Sequence, residues 1–346
     1  MKRKLFYMSL FIMLMAQCMC CGKNKDPQGE TSPDVTVTPT ETPVSTKTEA
    51  PTPTPTEAPK EAEIVPAAIS TMIPRQYTEM QIKDGGKVER FEYGTKDYFG
   101  DGADITKRAY IYLPKDYDPE KQYNVLILCH GIGGSENEWG MGGLSSKVKA
   151  IMDNLVLNDE AEPFLVVTPN GRSSKDFANT NSDYGSFYLF GQELRNDLIP
   201  YINEHYATYG KNAESFEEVR DHYAMAGLSM GGMQTINIGM CECLDMFSWF
   251  GAFSAAPTSY AAATVKEKIE AEGDYNINYF YNICGQQDGV ALSSHTAAAK
   301  NLALLSDRFT DGENYMWMTC PGGHDFNIWY LGFYNFAQIV FRGPKE

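Results

Sequence analysis

The chain has 346 residues, with 45 Asp or Glu against 29 Lys or Arg and a formal net charge of −16. That excess of acid argues against nucleic acid as a partner, because backbone phosphates would be repelled. It leaves neutral and polysaccharide ligands open, and the length suffices for one large core.

The N-terminal segment is not core-forming. Met1–Lys4 (MKRK) is basic, LFYMSLFIMLMA is a short apolar run, and Cys18, Cys20 and Cys21 follow it. This is the pattern of an export signal, too short and wrongly flanked for a stable membrane span. Cysteine stands where a small-residue cleavage site would, so residues 1–21 resemble a lipoprotein signal. Gln17 before Cys18 is irregular, and the choice among the three cysteines stays open. Residues 22–62 are mainly Thr, Pro and Glu, with no apolar period and therefore no core. The repeated Pro favours an extended, semi-rigid spacer. We expect an exported chain whose contact with a membrane is an N-terminal lipid anchor, or otherwise a secreted one, with residues 63–346 as the folded domain.

Within that domain, VERFEYGT and KRAYIYLP alternate in strand fashion and are expected to pair antiparallel at one sheet edge. NVLILCH (124–130) is continuously apolar, as suits a strand covered on both faces. LSSKVKAIMDNLV predicts a helix and PFLVVTPN a second buried strand. In ELRNDLIPYINEHY, Leu194, Leu198 and Ile202 recur every four residues on a helix face, and Pro200 should kink that helix or mark its start. YAMAGL reads as a strand and MGGMQTINIGM as a helix. FSWFGAFSA and YFYNICG read as strands, 294–305 as a helix, NYMWMTC as a strand and 328–341 as the last helix. The alternation predicts an α/β fold: a mostly parallel sheet flanked by helices, with antiparallel N-terminal edge strands. Five cysteines (129, 241, 243, 284, 320) show no framework spacing, and Cys129 and Cys284 end apolar runs as buried strand residues would. No metal site is expected.

One serine stands between strand and helix. Ser229 has Gly227 two residues before it and Gly231 two after, the G-x-S-x-G of a tight turn that lifts a nucleophile out of a sheet. The following helix aims its amide dipoles at the serine, which suits an arriving negative charge. A serine hydroxyl needs a base, an orienting acid and oxyanion donors, with chain order Ser, acid, His. His324, in CPGGHDFNIW, follows a predicted strand near the C-terminus and is the expected base; His295 is a distant second. His222 lies at the wrong end of the sheet, and His205 sits mid-helix. Asp288, just past the run ending at Cys284, is the expected acid. Asp325 would point elsewhere. HGIGGSENEW after NVLILCH should supply the oxyanion loop, with the amides of Ile132 and Met230 as donors and His130 as a brace. One such donor is worth about 3 kcal/mol of transition-state stabilisation. Gly131, Trp139, Tyr184 and Trp329 are candidates for lining the substrate site, with Phe187, Tyr188 and Phe326 nearby in sequence.

LCHGIGGSENEW, AGLSMGGMQTINIG, SAAPTSY, CGQQD and GGHDFNIWYLGFYNF together resemble the feruloyl esterase and acetylxylan esterase group of carbohydrate esterase family 1, esterase D-like α/β-hydrolases. The resemblance runs from about Gly86 to Phe341. It implies an α/β-hydrolase fold, cofactor-free hydrolysis of plant cell-wall esters such as feruloylated or acetylated xylan, and the roles just given to Ser229, Asp288, His324 and the loop after His130. A departure is NGRSSKDFANTNSDYGSFYLFGQE (170–193), expected as a substrate-side loop. A feruloyl preference is expected, with acetylxylan hydrolysis as the alternative. Thioester hydrolases and mycolyltransferases share the architecture, and a catalytically dead surface glycan-binding protein is the alternative of another class.

Overall fold

The computed structural model describes residues 69–79, 81–179 and 184–342. The expected signal, cysteine cluster and Thr/Pro/Glu spacer lie outside these residues, and no helix among the described residues is long and apolar enough to cross a membrane.

Eight strands form one sheet: β1 (Lys87–Lys96), β2 (Asp104–Leu113), β3 (Val125–Cys129), β4 (Leu165–Pro169), β5 (Tyr223–Leu228), β6 (Trp249–Phe253), β7 (Tyr279–Gly285) and β8 (Tyr315–Cys320). Their order is β1-β2-β4-β3-β5-β6-β7-β8. β1 pairs antiparallel with β2, from Lys87 opposite Leu113 to Lys96 opposite Asp104, and β2 pairs antiparallel with β4. Every other pairing is parallel. β1 alternates exposed and buried residues over its second half, as an edge strand with one wet face must. β3, β4, β5 and β6 are buried throughout.

The apolar runs divide between two faces with the two-residue period of a strand. Val125, Ile127 and Cys129 join a core with Phe190, Leu194, Leu198 and Ile202. Leu126 and Leu128 join the opposite core with Val148, Ile151, Leu155, Phe333 and Phe336. The second face is covered by the helices Lys147–Leu157 and Phe326–Ile339. On the first face, α-helical Phe190–Glu193 and Ile199–His205 are joined by a π-helical stretch, Leu194–Leu198. Pro200 falls in the first turn of the α-helix Ile199–His205, which is the start expected of it. The wider turn, in which the Ile199 amide donates to the Leu194 carbonyl, accommodates a ring that an α-turn would not.

Two helices depart from expectation. Ala262–Glu272, between β6 and β7, is additional; it buries only Ala262, Val265 and Ile269. The helix expected over 294–305 is two pieces, Leu292–Ala299 and Leu302–Leu305.

Because β3 and β5 to β8 run parallel, their C-terminal ends open onto one rim of the sheet, where open α/β sheets place ligands. Ser229, the loop after Cys129, Asp288 and His324 all leave the sheet on that rim.

Candidate active site

Ser229 joins β5 to the helix Met230–Gln234, which continues as a π-helix over Thr235–Met240. Its φ of 50° and ψ of −112° are strained for a residue bearing a Cβ. Three bonds hold it there. Its amide donates to the Phe253 carbonyl at 3.0 Å, and its own carbonyl accepts from the amides of Met233 at 3.0 Å and Ala256 at 2.9 Å. The flanking glycines are required by space. A Cβ built on Gly227 would lie 2.6 Å from the carbonyl carbon of Gly231, and one on Gly231 would lie 2.5 Å from the carbonyl oxygen of Cys129.

His324 Nε2 lies 3.1 Å from Ser229 Oγ, and His324 Nδ1 lies 2.8 Å from Asp288 Oδ2. The other carboxylate oxygen of Asp288 accepts from the amides of Ala291 at 2.7 Å and Val290 at 3.0 Å. Burial pushes the Asp288 carboxyl up, but the Ala291 amide and the His324 imidazole outweigh it, so the group stays below the usual carboxylate range. The two loops that carry acid and imidazole are also tied together. Gln287 Oε1 accepts from the Gly322 amide at 2.8 Å, and the Gln287 amide donates to the Gly322 carbonyl at 2.9 Å. Asp325 points away, capping the last helix through the Asn327 amide.

The loop after β3 adjoins the serine: a Cβ on Gly131 would lie 3.4 Å from Ser229 Cβ. Met230 opens its helix, so its amide is among those a helix leaves without internal partners. His130 is fully enclosed in this loop. Its Nε2 accepts from the Gly171 amide at 2.9 Å, which leaves Nδ1 as the donor to the Gly131 carbonyl at 2.7 Å. Burial pulls its pKa down to about 4, so the ring is neutral and keeps this tautomer.

Several candidates take other places. Trp139 is fully buried, packs edge-on against Phe253, Phe326 and Tyr330, and donates its indole N–H to the Cys129 carbonyl. It is a core residue beneath the loop, not a wall a ligand can touch. Phe187 is likewise buried, under His130 and Arg172. His295 is enclosed inside its helix rather than solvated at a cap. The start of the stretch expected to face substrate, Asn170–Ser174, is buried; further along, Tyr184 and Tyr188 are exposed. Trp329 stands edge-on to His324, with ring centroids 5.1 Å apart, and Phe326 packs against Trp329.

Two residues that motif reasoning passed over belong to the site. Glu138 Oε2 accepts from the Gly131 amide at 2.6 Å. Burial pushes its carboxyl up, against the opposing pull of that amide and of Arg172 and His324. Arg172 is buried with its guanidinium on the carbonyls of the same loop. Neither carries a sequence signal, because a polar side chain in a glycine-rich loop reads as solvated until the loop's neighbours are known.

A family model described as "Putative esterase" matches residues 105–335. The chain belongs to this esterase family. Its curated relatives include endo-1,4-beta-xylanase Y of Acetivibrio thermocellus, 30% identical over 234 residues that make up 64% of this chain. Another is an endo-1,4-beta-xylanase/feruloyl esterase of Xylanibacter ruminicola, 29% identical over 71% of this chain. The chain spans only 20% and 31% of the lengths of those two relatives. Among solved structures, a CE1 ferulic acid esterase from the anaerobic fungus Anaeromyces mucronatus superposes with a TM-score of 0.61 at 25% identity, covering 79% of this chain and 97% of that one. The shared architecture is the α/β-hydrolase fold.

Proposed function

We propose that the esterase is a serine carboxylic-ester hydrolase that releases ferulate from plant cell-wall xylan. The observation that carries this reading is the relay of Ser229 Oγ, His324 and Asp288 at 3.1 and 2.8 Å, beside a glycine loop. In the mechanism this supports, His324 Nε2 takes the proton of Ser229 as Oγ attacks the ester carbonyl. The amides of Ile132 and Met230 face the oxyanion. Collapse expels the sugar alcohol, protonated by His324, and leaves an acyl-enzyme. A water then gives a proton to His324 as it attacks the acyl carbon, and collapse releases the acid while His324 returns that proton to Ser229 Oγ. Asp288 holds Nδ1–H and stabilises the imidazolium. No step calls on a metal or cofactor.

The aromatic acid is favoured by the relatives named as xylanase and feruloyl esterase and by an indole packed against His324. Trp329 flanks His324, while Tyr184 and Tyr188 remain exposed. Turnover of methyl ferulate and of acetylated xylan by wild type and by Ser229→Ala tests it. The expected outcome is preference for ferulate and a loss of at least about a thousandfold in the folded variant. Equal rates for the two proteins would remove Ser229 as nucleophile, preference for acetylated xylan would make the protein an acetylxylan esterase, and glycan binding without turnover would leave a binding protein.

The basic start, apolar run and cysteine cluster of residues 1–21 support export with lipid attachment, and the Thr/Pro/Glu spacer would hold the domain off the surface. Radiolabelled palmitate should enter the chain in a bacterial host and be lost when Cys18, Cys20 and Cys21 are all changed to Ser; an unlabelled wild-type chain would exclude the anchor.

A further inference from the structure

The loop His130–Glu138 is tied at successive backbone groups by its own groups and by Arg172 from outside it. The Gly131 amide donates to Glu138, and the Gly131 carbonyl accepts from His130 Nδ1 at 2.7 Å and from the Gly134 amide at 3.1 Å. The next carbonyl, of Ile132, accepts from Arg172 Nη2, and that of Gly134 accepts from Arg172 Nη1 at 2.7 Å. Arg172 is fully buried, with its guanidinium 4.8 Å from the centre of the Phe187 ring. Its own backbone is anchored below. Its carbonyl accepts from Lys107 Nζ at 2.7 Å, and Lys107, also fully buried, pairs with Glu193 at 2.6 Å. Glu193 in turn accepts from Tyr93 and Ser173.

We infer that Arg172 is a positioning residue for the oxyanion donor. The inference rests on the reading of Ser229 as nucleophile and the Ile132 amide as donor. A trans peptide is planar, with its C=O and N–H pointing opposite ways. His130 holds the Gly131 carbonyl and so turns the Ile132 N–H away from itself. Arg172 holds the carbonyl on the other side of Ile132. Both peptide planes flanking Ile132 are thereby fixed, and with them its two free dihedrals. The Ile132 side chain cannot do this, since it is 41% exposed. A loop this rich in glycine would otherwise sample many amide directions, and a donor that must reorganise as charge develops contributes less. Arginine suits the task because one rigid fork reaches two carbonyls, whereas lysine presents a point charge.

The test compares wild type, Arg172→Met and Arg172→Lys for kcat and KM on methyl ferulate. It also measures inhibition by phenylboronic acid, which forms a tetrahedral serine adduct, and by ferulate, which does not. For Arg172→Met, kcat should fall by about a hundredfold, the scale of one lost oxyanion donor, with KM within about threefold. Boronate affinity should fall in parallel and ferulate affinity should hold. Arg172→Lys should lose about tenfold in kcat in the same pattern, and it decides the matter if the Met variant does not fold. Wild-type kcat in a folded variant would overturn the inference. So would an equal loss of ferulate and boronate affinity, or failure of both variants to fold, since each makes the role one of general structure. Wild-type turnover that Ser229→Ala abolishes, measured alongside, separates a failure here from a failure of the underlying reading.

Discussion

At the scale of single residues, the site depends on one strained serine held by neighbours that cannot yield. Ser229 keeps its positive φ because β6, the segment after it and its own helix supply three backbone bonds to it. Gly231 lets that turn press against β3. A methyl group there meets the Cys129 carbonyl oxygen, carbon and Cβ at 2.5 to 2.8 Å, all close to rigid main chain. Gly231→Ala must therefore push the elbow away from β3. We expect a loss of about 1–3 kcal/mol of stability and a lower kcat, because Ser229 shifts relative to His324. Thermal unfolding and turnover check this together, and an unchanged midpoint with full activity would contradict it. Ser229, His324 and Asp288 were legible in the sequence because a strand-to-helix nucleophile demands small neighbours and a fixed chain order of partners. Trp139, Arg172 and Glu138 were not. An indole beside a glycine loop reads equally as wall or as core, and only the approach of Phe253, Phe326 and Tyr330 decides between them.

At the scale of elements, strands were easier to read than helices. A strand buried on both faces needs an unbroken apolar run, and β3 to β7 advertise theirs. Helix Ala262–Glu272 buries three side chains and is otherwise Ala, Thr, Lys and Glu, so its stripe is thin. The stretch around Pro200 shows the limit of local rules. Proline is excluded from the interior of an α-helix but not from its first turn, and Leu194, Leu198, Ile199 and Ile202 must all reach the same core. A π-turn satisfies both demands at once. Ser229 likewise leads into an α-turn followed by a π-turn, Thr235–Met240, that buries every one of its residues.

At the scale of the whole molecule, burying two imidazoles couples stability to acidity. His130 and His295 are both enclosed, and burial pulls each down to about 4 from the ordinary 6.5. The unfolded chain therefore binds protons below pH 6.5 that the folded chain refuses until about pH 4. The stability this gives is complete above 6.5 and is lost as pH falls across that window, by about 1.4 kcal/mol per pH unit for each ring well below 6.5. Asp288, held low, adds to the loss only below the usual carboxylate range, whereas raised Glu138 opposes the loss at higher pH, above its ordinary value. Urea midpoints should hold from pH 7.5 to about 6.5 and then fall toward pH 5, and His295→Gln should flatten that slope. A midpoint that rises toward pH 5 would refute this.

The sequence by itself determined the alternation of strands and helices, the serine elbow and the order of its partners. Each of these is written in neighbouring residues, in apolar periods and in glycines that a turn cannot do without. Tertiary structure alone decided which polar side chains are enclosed and what they hold. Lys107, Glu193, Arg172 and the glycine loop after β3 come from four distant parts of the chain and meet only once the sheet has formed. Their charges are tolerable there because each finds a partner in the folded state, a fact that no local pattern encodes.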